Sequence, residues 1–256
     1  MLALLDVFSL TEPAWSADKL IAYLGTSRAT GYRYIRTLHR AGFLAPVASG
    51  SYVLGSRIIE LDRQIRMRDP VYTAGGPPMQ RLARATGHNA LLCVLYSDSV
   101  MCVREELNPT APEGLFSRGQ RRSLFTAATS KVILAYLPVH QLRGIYARYG
   151  AEVANAGLGE DWDAFRESLL RIRKDGYCMT AGEFVPGVLG FAAPIFNRAG
   201  KVLGSLGLAM YEKHVRRSQH PSLAKLVMEA AQEASEAICQ RDDEVDLPAR
   251  AVGLNR

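Results

Sequence analysis

Cysteine is scarce in this chain, and no two cysteines are spaced as a pair. Four occur in 256 residues, Cys93, Cys102, Cys178 and Cys239, without a C-x-x-C. That excludes a disulfide-stapled secreted scaffold and a zinc ribbon, and it fits reduced, mostly buried thiols. The five histidines are equally dispersed, His214 and His220 without an H-x-x-x-H partner, so no metal is expected. No run approaches the ~18 uncharged apolar residues of a membrane span. Residues 1–10 are apolar but lack a basic start and a cleavage site, and they carry Asp6, so they do not read as a signal peptide. The expectation is a cytoplasmic protein with no membrane contact. Catalytic signatures are missing too: there is no G-x-S-x-G, Walker A loop or H-E-x-x-H. Gly204-Ser205-Leu206-Gly207 is too apolar to cradle phosphate, and Glu105 and Glu106, adjacent on a strand, face opposite ways. Neither an enzyme nor a cofactor is expected.

What is present is ordinary in bulk and uneven in detail. Hydrophobic residues make up 48% and charged residues 22%, enough for two cores. The formal charge is +6, which permits a nucleic-acid partner. Up to residue 70 there are nine Arg or Lys against six Asp or Glu, and four of the nine fall within residues 26–44, where no acid occurs.

That stretch organises the chain. Residues 16–25 (SADKLIAYLG) place Ala17, Leu20, Ile21 and Leu24 on one helical face, with Ser16 as N-cap and Gly25 where a helix ends at positive φ. Residues 26–44 (TSRATGYRYIRTLHRAGFL) begin a second helix at Thr26 or Ser27, bury Tyr34, Ile35 and Leu38, and end at Gly42. Its opposite face carries Arg28, Ala29, Thr30, Tyr32, Arg33, Arg36 and Thr37. Helix, glycine turn and basic helix suit a recognition helix in a DNA major groove, where Arg pairs with guanine or phosphate and Thr or Ala touches a thymine methyl. Residues 46–54 (PVASGSYVL) read as a hairpin, a wing whose Ser49, Ser51 and Tyr52 would lie on the DNA backbone. Gly31 is costly inside a helix, so the recognition helix is expected to be mobile when free, and Gly31→Ala to stabilise it unless the site is crowded.

The sequence resembles IclR-type bacterial transcriptional regulators over nearly its whole length. The family's "RGYV" is matched by Arg40-Ala41-Gly42-Phe43-Leu44 and its "Y-x-LG" by Tyr52-Val53-Leu54-Gly55. Its "GRRAPLHATALGKALLAFLP" is matched by residues 119–138, GQRRSLFTAATSKVILAYLP, and its "GYAxDDEExxPGV" by GYCMTAGEFVPGV from Gly176. The resemblance implies an α+β protein with three parts: a winged helix-turn-helix domain over 1–55, a linker helix over 56–70, and a GAF-like effector-binding and oligomerisation domain over 71–240. That last domain would hold a six-stranded antiparallel sheet flanked by helices. Residues 241–256 are polar and aperiodic and are expected to be disordered.

Within the first part, Leu2, Leu5 and Phe8 read as a short helix. In the third, helices are expected over 77–87, 126–137, 139–149, 161–175 and 223–239. Strands are expected over 90–96, 100–105, near 115–117, and over 177–180, 190–196 and 202–211. The resemblance further implies an effector pocket walled by Arg122, Ala128, Thr129, Thr180, Val188, Gly190, Gly207 and Ala209. Here the family's run of acids survives only as Glu183, and its last-strand serines are Gly207 and Ala209, so a wider and more apolar pocket is expected. Arg122 would clamp a carboxylate or, as part of a basic turn, point to solvent. The implied partners are a palindromic double-stranded operator, a small organic acid, and further copies of the chain as a dimer or dimer of dimers. Two other readings stay open: a constitutive DNA-binding protein whose second domain only oligomerises, and a winged helix used for protein contact.

Overall fold

The computed structural model describes residues 1–109 and 116–240, and the side chain of Ser49 lies outside the description. The chain divides into two units, Met1–Arg68 and Asp69–Arg256.

In the first unit a 3-10 turn, Leu2–Leu5, precedes strand β1 (Trp15–Ser16) and helix α1 (Ala17–Leu24). The N-terminal turn buries Leu4 fully, packs Leu5 and Phe8 partly against the core and leaves Leu2 62% exposed. Ser16 caps α1 by accepting from Lys19 N at 3.3 Å, and Gly25 ends it at φ 61. Helix α2 (Arg28–Arg40) follows, then β2 (Leu44–Val47), a 3-10 turn at Ala48–Gly50, β3 (Ser51–Leu54) and α3 (Arg57–Arg68). The three strands form a small antiparallel sheet in the order β1-β3-β2. A core of Leu4, Leu20, Ile21, Ile35, Leu38 and Leu44 joins α1, α2 and this sheet.

Gly31 belongs to that core. It is buried, and a Cβ placed on it would lie 2.4 Å from Ile21 Cγ1. The glycine is the point where α1 and α2 meet, so the site is crowded and Gly31→Ala is not expected to stabilise the helix. The crowding neighbour is Ile21 of the other helix.

The second unit begins with α4 (Pro70–Thr86), which runs through Pro77 and Pro78 and is longer than the expected helix. Two prolines normally break a helix. Here Asp69 caps it by accepting from Tyr72 N at 3.1 Å, and Val71, Ala74, Met79, Leu82 and Ala83 are buried along it. There follow β4 (Asn89–Tyr96), β5 (Ser99–Glu106), β6 (Arg121–Ser123), α5 (Ala128–Ala135), α6 (Val139–Asn155) and α7 (Trp162–Asp175). The last elements are β7 (Cys178–Ala181), β8 (Val188–Phe196), β9 (Val202–Tyr211) and α8 (His220–Cys239). The third strand is β6, not residues 115–117. Residue 115 lies outside the described residues, Phe116 and Ser117 are not in a strand, and Arg121 and Arg122 pair with Met101 and Val100 of β5. The supposed basic turn is thus partly an edge strand. The expected tail, 241–256, is outside the described residues.

The sheet is antiparallel in the order β6-β5-β4-β9-β8-β7. Along β4 the side chains alternate between two cores. Leu92 and Val94 join Phe191, Leu206, Met79 and Val227 beneath α4 and α8, while Leu91 and Cys93 join Ile133, Leu134, Ile145 and Phe165 beneath α5, α6 and α7. Burial on both faces explains why β4 and β9 read as continuous apolar runs rather than as alternating ones. The architecture is α+β, with helices covering both faces of one antiparallel sheet.

Candidate functional site

The first candidate surface is the outer face of α2. Ser27 caps the helix, accepting from Thr30 N at 3.4 Å and donating to Thr30 Oγ1 at 3.1 Å. Ile35 and Leu38 turn inward, at 1% and 2% exposure, which turns the residues between them outward. Arg28, Ala29, Tyr32, Arg33, Arg36 and Thr37 are exposed and Thr30 is half-buried. Thr37 Oγ1 donates to Arg33 O at 2.9 Å, so that hydroxyl is partly engaged with its own helix. Arg28 Nη2 stands 3.5 Å from Asp18 of α1, an exposed pair that contributes little and is readily exchanged for another anion. The turn that carries Ser49 and strand β3 with Ser51 lie beyond the helix. Tyr52 behaves differently. It packs against the core and meets the His39 ring edge-on at 6.5 Å, which makes it a brace for the hairpin with only part of its ring turned outward. The brace includes β1, since Trp15 is opposite Tyr52 and Ser16 opposite Ser51. A two-residue strand leaves no periodicity for sequence reasoning to find.

The second candidate is a cavity of about 440 Å³, solvent at its mouth included, between the sheet, the start of α5 and the segment after β7. Arg122, Ala128, Thr129, Thr180, Val188, Gly190 and Ala209 all line it. Gly207 is not part of the wall. A Cβ there would meet Phe191 O and Thr129 Cγ2, each at 2.8 Å, so this glycine lets the start of α5 sit close on β9. Ser205 Oγ, donating to Thr129 O at 2.9 Å, holds the same contact.

Phe116, Glu183, Phe184 and Val185 also line it, beside Leu91, Ala127, Leu189 and Leu208, and sequence reasoning did not place them there. The available signal was Glu183, the acid left in a motif that elsewhere carries several. The Arg122 guanidinium lies between two rings, 4.0 Å from the Phe116 centroid and 3.8 Å from that of Phe184. Such stacking keeps a cation in an apolar wall. Burial lowers the Arg122 pKa from its ordinary value, while it remains the basic group of the cavity. Glu183 reaches α5, accepting from Ala127 N at 3.1 Å and from Lys131 Nζ at 2.6 Å. Thr180 Oγ1 accepts from Ala128 N at 3.2 Å. Thr129 Oγ1, on a residue 5% exposed, has no hydrogen-bond partner among the described residues. Nearby thiols are held protonated: burial pushes Cys178 up to about 12, and a hydrogen bond with Cys93 together with burial raises Cys102.

Among the described residues, no group of three or more His, Cys, Asp or Glu could hold a metal ion, and no helix is long and apolar enough to cross a membrane.

Comparison with known proteins matches a known domain to most of each unit. The IclR helix-turn-helix domain matches residues 1–48, and the bacterial transcriptional regulator IclR C-terminal domain matches residues 66–236. The HTH-type transcriptional regulator KipR of Bacillus subtilis is 24% identical over 93% of this chain and 94% of its own. The glycerol operon regulatory protein of Streptomyces coelicolor is 27% identical over 91% and 92%. Among solved structures, an IclR homologue from Microbacterium hydrocarbonoxydans complexed with 4-hydroxybenzoate superposes with a TM-score of 0.73 at 19% identity, covering 93% of this chain and 96% of that one. A regulator from Alicyclobacillus acidocaldarius gives a TM-score of 0.74 at 23% identity, over 92% and 97%. With family domains matched across most of its length, this chain belongs to the IclR family of transcriptional regulators.

Proposed function

We propose that this regulator binds a palindromic operator as a homo-oligomer and controls a catabolic operon in response to a mid-sized organic acid, aromatic or similarly apolar, held in the cavity of the second unit. The observation that carries the reading is the wall of that cavity. One cation, Arg122, sits between two aromatic rings, with the neutral hydroxyls of Thr129 and Thr180 and an apolar surface of Val188, Gly190 and Ala209 around it. Such a wall favours a flat apolar body with a negative group over a polyhydroxylated one. The 4-hydroxybenzoate bound by the Microbacterium homologue is a ligand of that kind. On the DNA side, Arg28, Thr30, Tyr32 and Arg33 are assigned base readout, and Arg36 with the hairpin is assigned the backbone. Self-association is favoured by α3, which buries none of its residues and leaves Ile59, Ile65 and Met67 open at 69%, 60% and 65%.

The test is titration calorimetry on the full-length protein with benzoate, 4-hydroxybenzoate, phenylacetate and, as the polyhydroxylated control, glycerol. The acids are expected to bind and glycerol not to. Losing a charge-assisted hydrogen bond costs about 1.5–3 kcal/mol, so Arg122→Ala should weaken the acids roughly tenfold or more and leave ligand-free DNA affinity unchanged. Unchanged affinity in the variant, or a preference for glycerol, refutes the reading. A chain that binds operator DNA but shows no melting shift with any acid favours the alternative, a constitutive DNA-binding protein whose second unit only oligomerises.

A further inference from the structure

Two backbone amides at the start of α5, those of Ala127 and Ala128, already have acceptors. A helix that begins beside a cavity presents N–H groups and a positive dipole end, and so attracts an anion from outside. In this chain the anion is internal. Glu183 places Oε2 on Ala127 N and Oε1 on Lys131 Nζ, and Thr180 takes Ala128 N. Lys131 is 6% exposed, and its other bond goes to Ala156 O at 3.2 Å. Moving Glu183 away would strand a buried ammonium, so the carboxylate is held in place. Ala127 adds a second constraint. It sits at φ 70 and ψ 155, a conformation costly for a residue with a side chain, and its N–H is the one directed at Glu183.

Among the described residues, Arg122 and Glu183 are the charged groups on the cavity wall. One attracts a negative ligand group. The other repels a second such group and occupies the amide that would otherwise receive it. We propose that Glu183 is a specificity-determining residue. By capping α5 with the chain's own carboxylate, it reserves the cavity for ligands carrying a single negative group, met by Arg122, and it rejects dianions. The proposal rests on the acid-binding reading above and adds the rule of one charge.

Two matched pairs of probes test it on the full-length chain by calorimetry: benzoate against terephthalate, and phenylacetate against 1,4-phenylenediacetate. Each pair keeps the ring and adds a second carboxylate. Like charges a few ångströms apart in a partly desolvated site should make the wild type prefer the monoanion by about tenfold or more. Glu183→Gln keeps an acceptor for Ala127 N and removes the charge, so the preference should shrink to about threefold or less. Should Glu183→Gln fold poorly with Lys131 left unpaired, Glu183→Gln/Lys131→Met removes the pair as a unit, and the same narrowing is expected. A wild type without preference, or variants that keep it, overturns the proposal and leaves acid binding standing. Failure of both monoanions to bind the wild type overturns both readings.

Discussion

Replacing Gly31 by alanine tests how the two helices of the first unit are held together. By helix propensity alone the change is favourable by about 1 kcal/mol. The structure opposes it. The new methyl would lie 2.4 Å from Ile21 Cγ1, 3.0 Å from Cγ2 and 3.1 Å from Cβ, where carbon atoms settle at about 3.5–4.0 Å. The shortfall is about 1 Å and is met by a β-branched side chain in a helix, whose χ1 has one strongly preferred setting. Relief therefore requires α1 and α2 to part, and overpacking of this kind costs typically about 1–3 kcal/mol. The balance is a loss of up to ~2 kcal/mol, and a unit of this size loses roughly 4–8 °C in melting temperature per kcal/mol. Differential scanning calorimetry of the full chain reads the transition, and hydrogen exchange over residues 17–40 localises it. Ile21→Ala is destabilising in its own right, but in its background Gly31→Ala should cost less than in the wild type, because the space the methyl needs is vacated. A raised melting temperature, or unchanged exchange across both helices, would refute the packing argument.

Two further predictions concern the two surfaces. Arg33→Ala should cost about 1–3 kcal/mol on the operator and relax sequence preference, whereas Arg36→Ala should weaken all DNA alike and flatten the salt dependence. Equal losses on operator and random DNA in fluorescence anisotropy would remove that division of labour. Gly207→Ala should lower the melting temperature and weaken acid binding together, since the added methyl pushes Thr129 and the start of α5 off β9. Acid affinity unchanged by calorimetry would show that Thr129 does not depend on that approach.

Much of the first unit was written locally. Ser16 and Ser27 as caps, Gly25 at positive φ, the inward spacing of Leu20, Ile21, Ile35 and Leu38, and the acid-free outer face of α2 are relations between residues a few positions apart. A 3.6-residue period carries such relations directly. The apolar runs of β4, β8 and β9 likewise announced strands buried on both faces. What the sequence concealed depends on residues far apart along the chain. Gly31 reads as a helix weakness until Ile21 of the preceding helix is set against it. The proline pair of α4 reads as a break until the Asp69 cap and a buried face outweigh it. Arg122 read equally well as solvated until β6 paired with β5 and placed it between Phe116 and Phe184. Glu183 meets Ala127 and Lys131 across separations of 56 and 52 residues. Local periodicity thus determined the helices, the strands and the outward basic face. The charge and shape of the cavity were decided only when the sheet closed against α5, because a contact between distant residues leaves no period in the sequence that encodes it.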